Sequence, residues 1–195
     1  MKEIIIKALK KTKREGITDL IKYMESVGFF EAPCSGGNHL CKEGGLAEHS
    51  VNVMNTALKL GKVLLDKEEF KEMESSIIIC SLLHDLGKTG DFGKKLYVDN
   101  ILKSGKQSAS KPFKRNPELT NIPHSRRSTK LAWFYIDLTE DEEWAIEYHD
   151  GLYDRETGGM AIIPGHETKL YMILHWADLW SARITEANIE ESEDE

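Results

Sequence analysis

Cysteine is scarce in this 195-residue chain: only Cys34, Cys41 and Cys80 are present, and no two of them form a CxxC pair. An odd cysteine count argues against a disulfide-dense scaffold and favours a reducing compartment. The N-terminus, MKEIIIKALKKTKREG, is broken by lysines and does not resemble the apolar region of a signal peptide. We therefore expect a cytoplasmic protein.

Long apolar runs and an excess of basic charge are missing as well. No stretch approaches the roughly 20 apolar residues that span a membrane, so we expect no membrane partner. The formal net charge is −7, from 26 basic and 33 acidic residues, which argues against nucleic-acid binding by the whole surface. The hydrophobic share of 40% is large enough for a sizeable core.

Helical periodicity is what the sequence does contain. Two short helices are predicted near the N-terminus, the first ending at Gly16 and the second capped by Thr18 or Asp19. Longer helices are predicted over residues 46–65, 68–83, 124–136, 140–149 and 167–186. No alternating run is long enough for a major sheet, so the fold class is all-α. A small β-hairpin is expected around residues 95–102, inside an insertion over 87–123, and a loop over 150–165.

The predicted helix over 68–83 is apolar nearly all round, which is typical of a buried helix. It runs directly into His84 and Asp85, followed by Gly87 as a helix stop. Polar groups at the inner end of a buried helix are rarely tolerated unless they are paired or bind a metal. This pair is therefore the first candidate for a functional site.

Each of the other core helices contributes one more candidate ligand: His49, His124, His149 and Asp178. Helix bundles build metal sites in this way, from side chains on facing helices. A mixed histidine and carboxylate set suits divalent Mn, Fe, Co, Ni or Zn and tolerates Mg. Such an ion makes hydroxide available near neutral pH and offsets charge on a phosphoryl oxygen.

The order H…HD…H…H…D resembles the HD-domain superfamily of metal-dependent phosphohydrolases, which are helical bundles. The segment Gly44-Gly45-Leu46-Ala47-Glu48-His49-Ser50 looks like its GGLxEH(T/S) motif, and Leu82-Leu83-His84-Asp85-Leu86-Gly87-Lys88 looks like its LLHDLGK core. Ala177-Asp178 is similar to the closing motif. The resemblance covers residues 39–186, which implies one HD domain over 1–195, with N-terminal helices and a loop over 1–38 and an acidic tail over 187–195.

The resemblance also implies roles for these residues. His49, His84, Asp85 and Asp178 would hold a first metal, and Asp85 would bridge to a second held by His124 and His149. Lys88 would touch the substrate phosphate or the attacking water, so Asp85 and Lys88 are the catalytic candidates. Two features depart from the pattern: Asp150 stands where some members carry a second histidine, and HDGLYDRETGG lacks the GYP signature of cyclic dinucleotide phosphodiesterases.

Positive charge is concentrated beside the candidate site. Residues 94–115 hold seven basic side chains and one acid, Asp99, and Arg126 and Arg127 follow His124. Positive charge there would attract a phosphorylated substrate. Lys88, Arg126, Arg127 and Arg183 are therefore the predicted substrate contacts, although any single one is equally typical of a solvated surface.

Two further groups of polar residues have plainer interpretations. His175 lies three residues before Asp178 and is expected to orient a neighbouring group rather than bind metal. Cys34, His39 and Cys41 lack zinc-knuckle spacing, which favours a structural loop.

The sequence as a whole predicts a phosphohydrolase with one or two divalent ions, acting on a nucleotide or a short nucleic acid. It leaves open monoester against diester and the oligomeric state. Two alternatives remain: a non-heme diiron oxygenase, because inositol oxygenase-like proteins share the ligand order, and a catalytically silent module that senses a nucleotide.

Overall fold

The computed structural model describes residues 1–151 and 165–187, together with the backbone of 153–154 and 159–160. Within these residues the chain is mainly helical, which confirms the predicted all-α class. The helices are α1 (Lys2–Lys11), α2 (Ile17–Ser26), α3 (Gly45–Leu64), α4 (Lys67–Leu83), α5 (His124–Trp133), α6 (Glu140–Glu147) and α7 (Lys169–Trp180). A 3₁₀ turn (Leu86–Thr89) follows α4, and a π turn (Ser181–Thr185) follows α7. None of the described helices has the length and apolar character needed to cross a membrane.

The insertion between α4 and α5 contains the expected small hairpin, but the hairpin extends over more residues than predicted. Strand β1 (Tyr97–Asp99) pairs antiparallel with β2 (Phe113–Arg115), so its partner lies well beyond the predicted range of 95–102. A second pair, β3 (Tyr153–Asp154) with β4 (Gly159–Met160), lies where a loop was predicted over 150–165. Most other residues of that loop lie outside the described residues.

The predicted cap of α2 was wrong, although the helix begins at Ile17, close to the predicted start. Its N-cap is Gly16, with a φ of 81°, and neither Thr18 nor Asp19 caps it. A Cβ at Gly16 would overlap the backbone carbonyl of Tyr135 after α5. The glycine is therefore required by close backbone packing and by a left-handed φ, which helical periodicity does not reveal.

The centre of the core lies between α3 and α4, and α7 packs against both. As predicted, the second half of α4 is buried all round, and its five large aliphatic side chains are at most 3% exposed: Ile77, Ile78, Ile79, Leu82 and Leu83. Burying each stabilises the fold by about 1.5–3 kcal/mol. The other end of α4 is closed by a capping box between Asp66 and Glu69. Helix α4 therefore places its C-terminal end, and the two residues that follow, at a fixed point in the core.

We expect Glu142→Gln to lower the free energy of unfolding by about 2–3 kcal/mol at neutral pH. Glu142 is fully buried, and its two carboxylate oxygens accept hydrogen bonds of 2.7 and 2.9 Å from the Arg14 guanidinium. Burial raises the pKa of Glu142, but hydrogen bonds from Arg14, the Thr139 backbone and Ser76, with the charge of Arg14, together outweigh burial, so the pKa falls below its ordinary 4.5. The stabilisation is present above the unfolded-state pKa and is lost as pH falls through the folded-state pKa.

Urea unfolding of both proteins, at neutral pH and again in acid, measures this difference. It should shrink once the pH drops below about 4.5. Equal stability of the two proteins at neutral pH would contradict the prediction.

Candidate metal centre

His49 enters the centre from the first turns of α3. The helix starts at a Gly44-Gly45 pair because a Cβ at Gly45 would overlap the carbonyl oxygen of Leu40. His49 is 1% exposed, and its Nε2 points toward α4 and α7. The glycine pair of the GGLAEHS segment thus lets the preceding loop lie close against the helix that carries His49.

His84 and Asp85 follow directly from the buried end of α4. The Nε2 of His84 lies 3.2 Å from that of His49 and 3.3 Å from Asp85 Oδ2. From α7, Asp178 Oδ1 lies 3.1 Å from His49 Nε2 and 3.9 Å from His84 Nε2. The four residues predicted for a first metal are therefore brought together from three helices.

The predicted second set meets on the other side of Asp85. Its Oδ1 lies 3.2 Å from His124 Nε2 and 3.7 Å from His149 Nε2, and these two nitrogens are 3.3 Å apart. Asp150 joins them, with carboxylate oxygens 3.5 Å from His124 Nε2 and 3.8 Å from His149 Nε2. Sequence reasoning treated Asp150 only as a departure from a family pattern; its position directly after His149 was the signal for it.

The donor groups of the centre suit a divalent cation. Behind His84 and His149, the ring Nδ1 bonds to the carbonyls of Ser81 (2.9 Å) and Ile146 (2.8 Å). A carbonyl can only accept, so Nδ1 carries a proton, and Nε2 is the nitrogen that faces the carboxylates and can bind a cation.

The carboxylate of Asp85, between the two donor sets, also indicates that the centre suits a cation. Among the described residues, no well-oriented hydrogen bond reaches the buried Oδ1 of Asp85. Lone pairs and carboxylate oxygens that face one another in a buried space repel unless a cation lies between them. The residues present therefore fit one or two first-row divalent ions.

Both carboxylates of the first set are ionised. Burial raises the pKa of Asp85, but Lys88 and His84 outweigh it and hold that pKa well below its usual range. Burial likewise raises the pKa of Asp178, but the neighbouring His49, His84 and His149 rings together outweigh burial and hold that pKa below its ordinary value. Ionised carboxylates are the form that binds metal.

Lys88 lies beside the same carboxylate, on the 3₁₀ turn. Its Nζ is 2.6 Å from Asp85 Oδ2, and its side chain is 13% exposed. Burial lowers the pKa of Lys88, but the charge of Asp85 and its hydrogen bond, together with the nearby Cys34 and Tyr97, outweigh burial and raise that pKa well above its usual value. Lys88 is therefore a fixed positive charge at the edge of the centre.

Of the three arginines predicted to contact substrate, Arg127 is held elsewhere, whereas the roles of Arg126 and Arg183 stay predictions. Arg127 is 1% exposed: its Nη2 donates to the Thr120 carbonyl at 2.6 Å, and its Nη1 lies 3.3 Å from Asp91 Oδ2. It is a buried structural cation, which corrects its assignment as a substrate contact. Arg126 is exposed and pairs with Glu147 at 3.1 Å, and Arg183 is exposed on the π turn.

Glu186 is a site residue that the sequence did not reveal. It is 7% exposed although it directly precedes the acidic tail. Its carboxylate lies 3.0 Å from His49 Nδ1, 2.5 Å from His39 Nδ1 and 2.9 Å from Asn52 Nδ2. Burial raises the pKa of Glu186, but hydrogen bonds from His39 and His49 lower it to about 2.

The predictions for the remaining polar residues were mixed. His175 Nδ1 donates to the His149 carbonyl at 2.8 Å, which agrees with the predicted orienting role. Donor atoms of Cys34, His39 and His49 do come within 4.8 Å of one another. Cys41 is not part of that group; its thiol lies 3.1 Å from Ser35 Oγ.

In a comparison with protein families, the model of the HD domain matches residues 46–185, inside the predicted core of 39–186. HD domains bind divalent metals, and members of the family are generally hydrolases. No curated protein and no solved structure matches the chain.

Proposed function

Because the chain belongs to the HD-domain family, we propose that it is a metal-dependent phosphohydrolase acting on a phosphate ester of a nucleotide or short nucleic acid. One observation supports this most: the two oxygens of the Asp85 carboxylate face two separate sets of nitrogen and oxygen donors. A carboxylate between two such sets is the arrangement that phosphoryl-transfer sites with two metals require.

His49, His84, Asp85 and Asp178 would hold one ion, and Asp85, His124, His149 and Asp150 the other. When bound, the divalent cation supplies Lewis acidity, which makes hydroxide available near neutral pH and neutralises charge on a phosphoryl oxygen. Asp150, whose side chain is 45% exposed, marks the solvent side of the second set. Substrate therefore reaches the centre from that side.

Lys88 serves the reaction through its charge. Its Nζ donates to Asp85 Oδ2 and keeps that carboxylate ionised. As the charged group next to the donor sets, it is placed to bind a non-bridging phosphate oxygen. The buried rings of His84 and His149 exclude bulk water behind the reacting groups, which strengthens these charge interactions.

Metal removal tests the proposal. We expect protein stripped with a chelator to hydrolyse neither nucleotides nor a generic phosphodiester, and protein reloaded with Mn²⁺ to hydrolyse at least one of them. Because the ion binds only the folded chain, free metal at about 100 times its Kd should add about 2.7 kcal/mol to the free energy of unfolding. Thermal melts against metal concentration measure that gain.

The same experiment separates the alternatives. Tight nucleotide binding without turnover on any metal contradicts the hydrolase and supports a sensing module. Bound iron with an oxygen-sensitive visible or EPR signal, again without phosphate release, supports an oxygenase.

A further inference from the structure

In three buried histidines of the centre, His49, His84 and His149, Nδ1 forms a hydrogen bond on the side away from the donor sets. The partner of His49 differs from that of the other two. His84 and His149 bond to backbone carbonyls three residues earlier in their own segments. His49 bonds to the carboxylate of Glu186, which lies 137 residues further along the chain. Only this one of the three rings therefore has a full negative charge behind it.

The π turn is what places Glu186 behind His49. In a continuous α-helix, the residue seven positions after Asp178, which is Thr185, would share its face. The π turn contains one extra residue per turn, shown by the 2.9 Å bond from Glu186 N to the Ser181 carbonyl five residues earlier. Thr185 is consequently exposed, and Glu186 takes the buried position on the side of Asp178.

The carboxylate is held firmly on its other sides. Asn52, one turn after His49 on α3, donates to Glu186 Oε1 at 2.9 Å. His39, from the loop before α3, lies 2.5 Å from Oε2. With three nitrogen groups around it, the carboxylate has a fixed direction relative to the His49 ring.

We infer that Glu186 is a positioning residue: it fixes the proton on His49 Nδ1, presents Nε2 to the cation and strengthens that bond with its charge. The inference rests on the proposed metal centre. Carboxylates behind metal-binding histidines raise ligand basicity, and losing one commonly weakens metal affinity 10–100-fold. Because this charge lies behind His49, we expect the set that contains His49 to be the tighter of the two.

The decisive variant is Glu186→Gln, which keeps the size and the hydrogen-bonding oxygen but removes the charge. Metal-free protein is titrated with Co²⁺, following the visible absorption of the bound ion and competition with a chelator. We expect the tighter Kd to rise about 10–100-fold, the weaker Kd to stay unchanged, and the visible spectrum of the tighter site to shift.

Glu142→Gln is the matched control, because it makes the same change at another buried glutamate, which bonds to Arg14 away from the centre. It should lower the melting temperature and leave both Co²⁺ affinities unchanged. A folded Glu186→Gln protein with wild-type affinity overturns the inference, and so does an equal loss of affinity in Glu142→Gln.

Asn52→Ala gives a second test that does not depend on how Glu186→Gln folds. It removes one donor to the carboxylate and keeps the charge, so we expect a smaller loss at the tighter site, and no loss overturns the inference. All readouts are metal affinities without substrate. A protein that binds Co²⁺ but hydrolyses nothing contradicts the proposed function alone, whereas one that binds no divalent ion contradicts both.

Discussion

Asp85→Ala is expected to remove bound metal from both donor sets and to lower phosphohydrolase activity by on the order of 10³-fold or more. Oδ2 of this residue faces His49 and His84, and Oδ1 faces His124 and His149. Because this one carboxylate faces both sets, one substitution should affect both. The measurements are metal content by elemental analysis and the initial rate of phosphate release from Mn²⁺-reloaded protein.

Asp19→Ala is a suitable control, since that aspartate is 67% exposed in a surface pair with Lys22 and lies outside the centre. The control should keep wild-type metal content and activity. Asp85→Ala also leaves the buried charge of Lys88 without its partner, so melts of the metal-free proteins must accompany the assay. Full metal content and full activity in a folded Asp85→Ala protein would show that the site assignment is wrong.

Gly87→Ala should be the most destabilising single-methyl change near the centre, costing about 3 kcal/mol or more. A Cβ at Gly87 would overlap the backbone carbonyl of His124 and would lie 2.6 Å from Arg127 Cβ and 2.9 Å from Ser128 N. These are mainly backbone atoms of α5, which cannot rotate away. The 2.8 Å hydrogen bond from Gly87 N to Ser128 Oγ would be strained as well.

Because the clash falls on His124, we expect Gly87→Ala to weaken the second donor set more than the first. Urea unfolding measures the stability loss, and Co²⁺ titration of the folded fraction measures the two affinities. Gly37→Ala is the control, since a Cβ there would press on Lys111 Cγ at 2.9 Å rather than overlap a backbone carbonyl, and the φ of Gly37 is not left-handed, so we expect a smaller loss of stability. If Gly87→Ala is as stable as Gly37→Ala, close packing of the 3₁₀ turn on α5 is not the reason why residue 87 is a glycine.

Sequence reasoning predicted those parts of the fold that a single local pattern is enough to identify. The all-round apolar character of α4 indicated a buried helix, and a polar pair at its buried end indicated a site. Candidate ligands on α3, α5 and α7 followed from order along the chain. The structure then brings His49, His84, Asp85 and Asp178 within reach of one another.

The errors fall where tertiary contacts override local pattern. Arg127 follows a candidate ligand and was interpreted as a phosphate contact, but helical rotation turns it toward Asp91 in the insertion, where it is buried. The hairpin is longer than the expected 95–102, because β1 pairs with β2 across a connection over 100–112, and periodicity along the chain does not identify that partner. Glu186 was hidden because α-helical spacing assigns the buried position to its neighbour.

The π turn also affects how relatives of this chain align with it. Such a turn is equivalent to one residue inserted into an α-helix. A relative that lacks one residue between Ser181 and Thr185 would have a regular helix there, and its equivalent of Glu186 would stand seven positions after the equivalent of Asp178, on the same helix face, while every ligand encoded before that point keeps its place. Such a relative would keep the carboxylate behind the histidine, and an alignment without that one-residue gap would miss it.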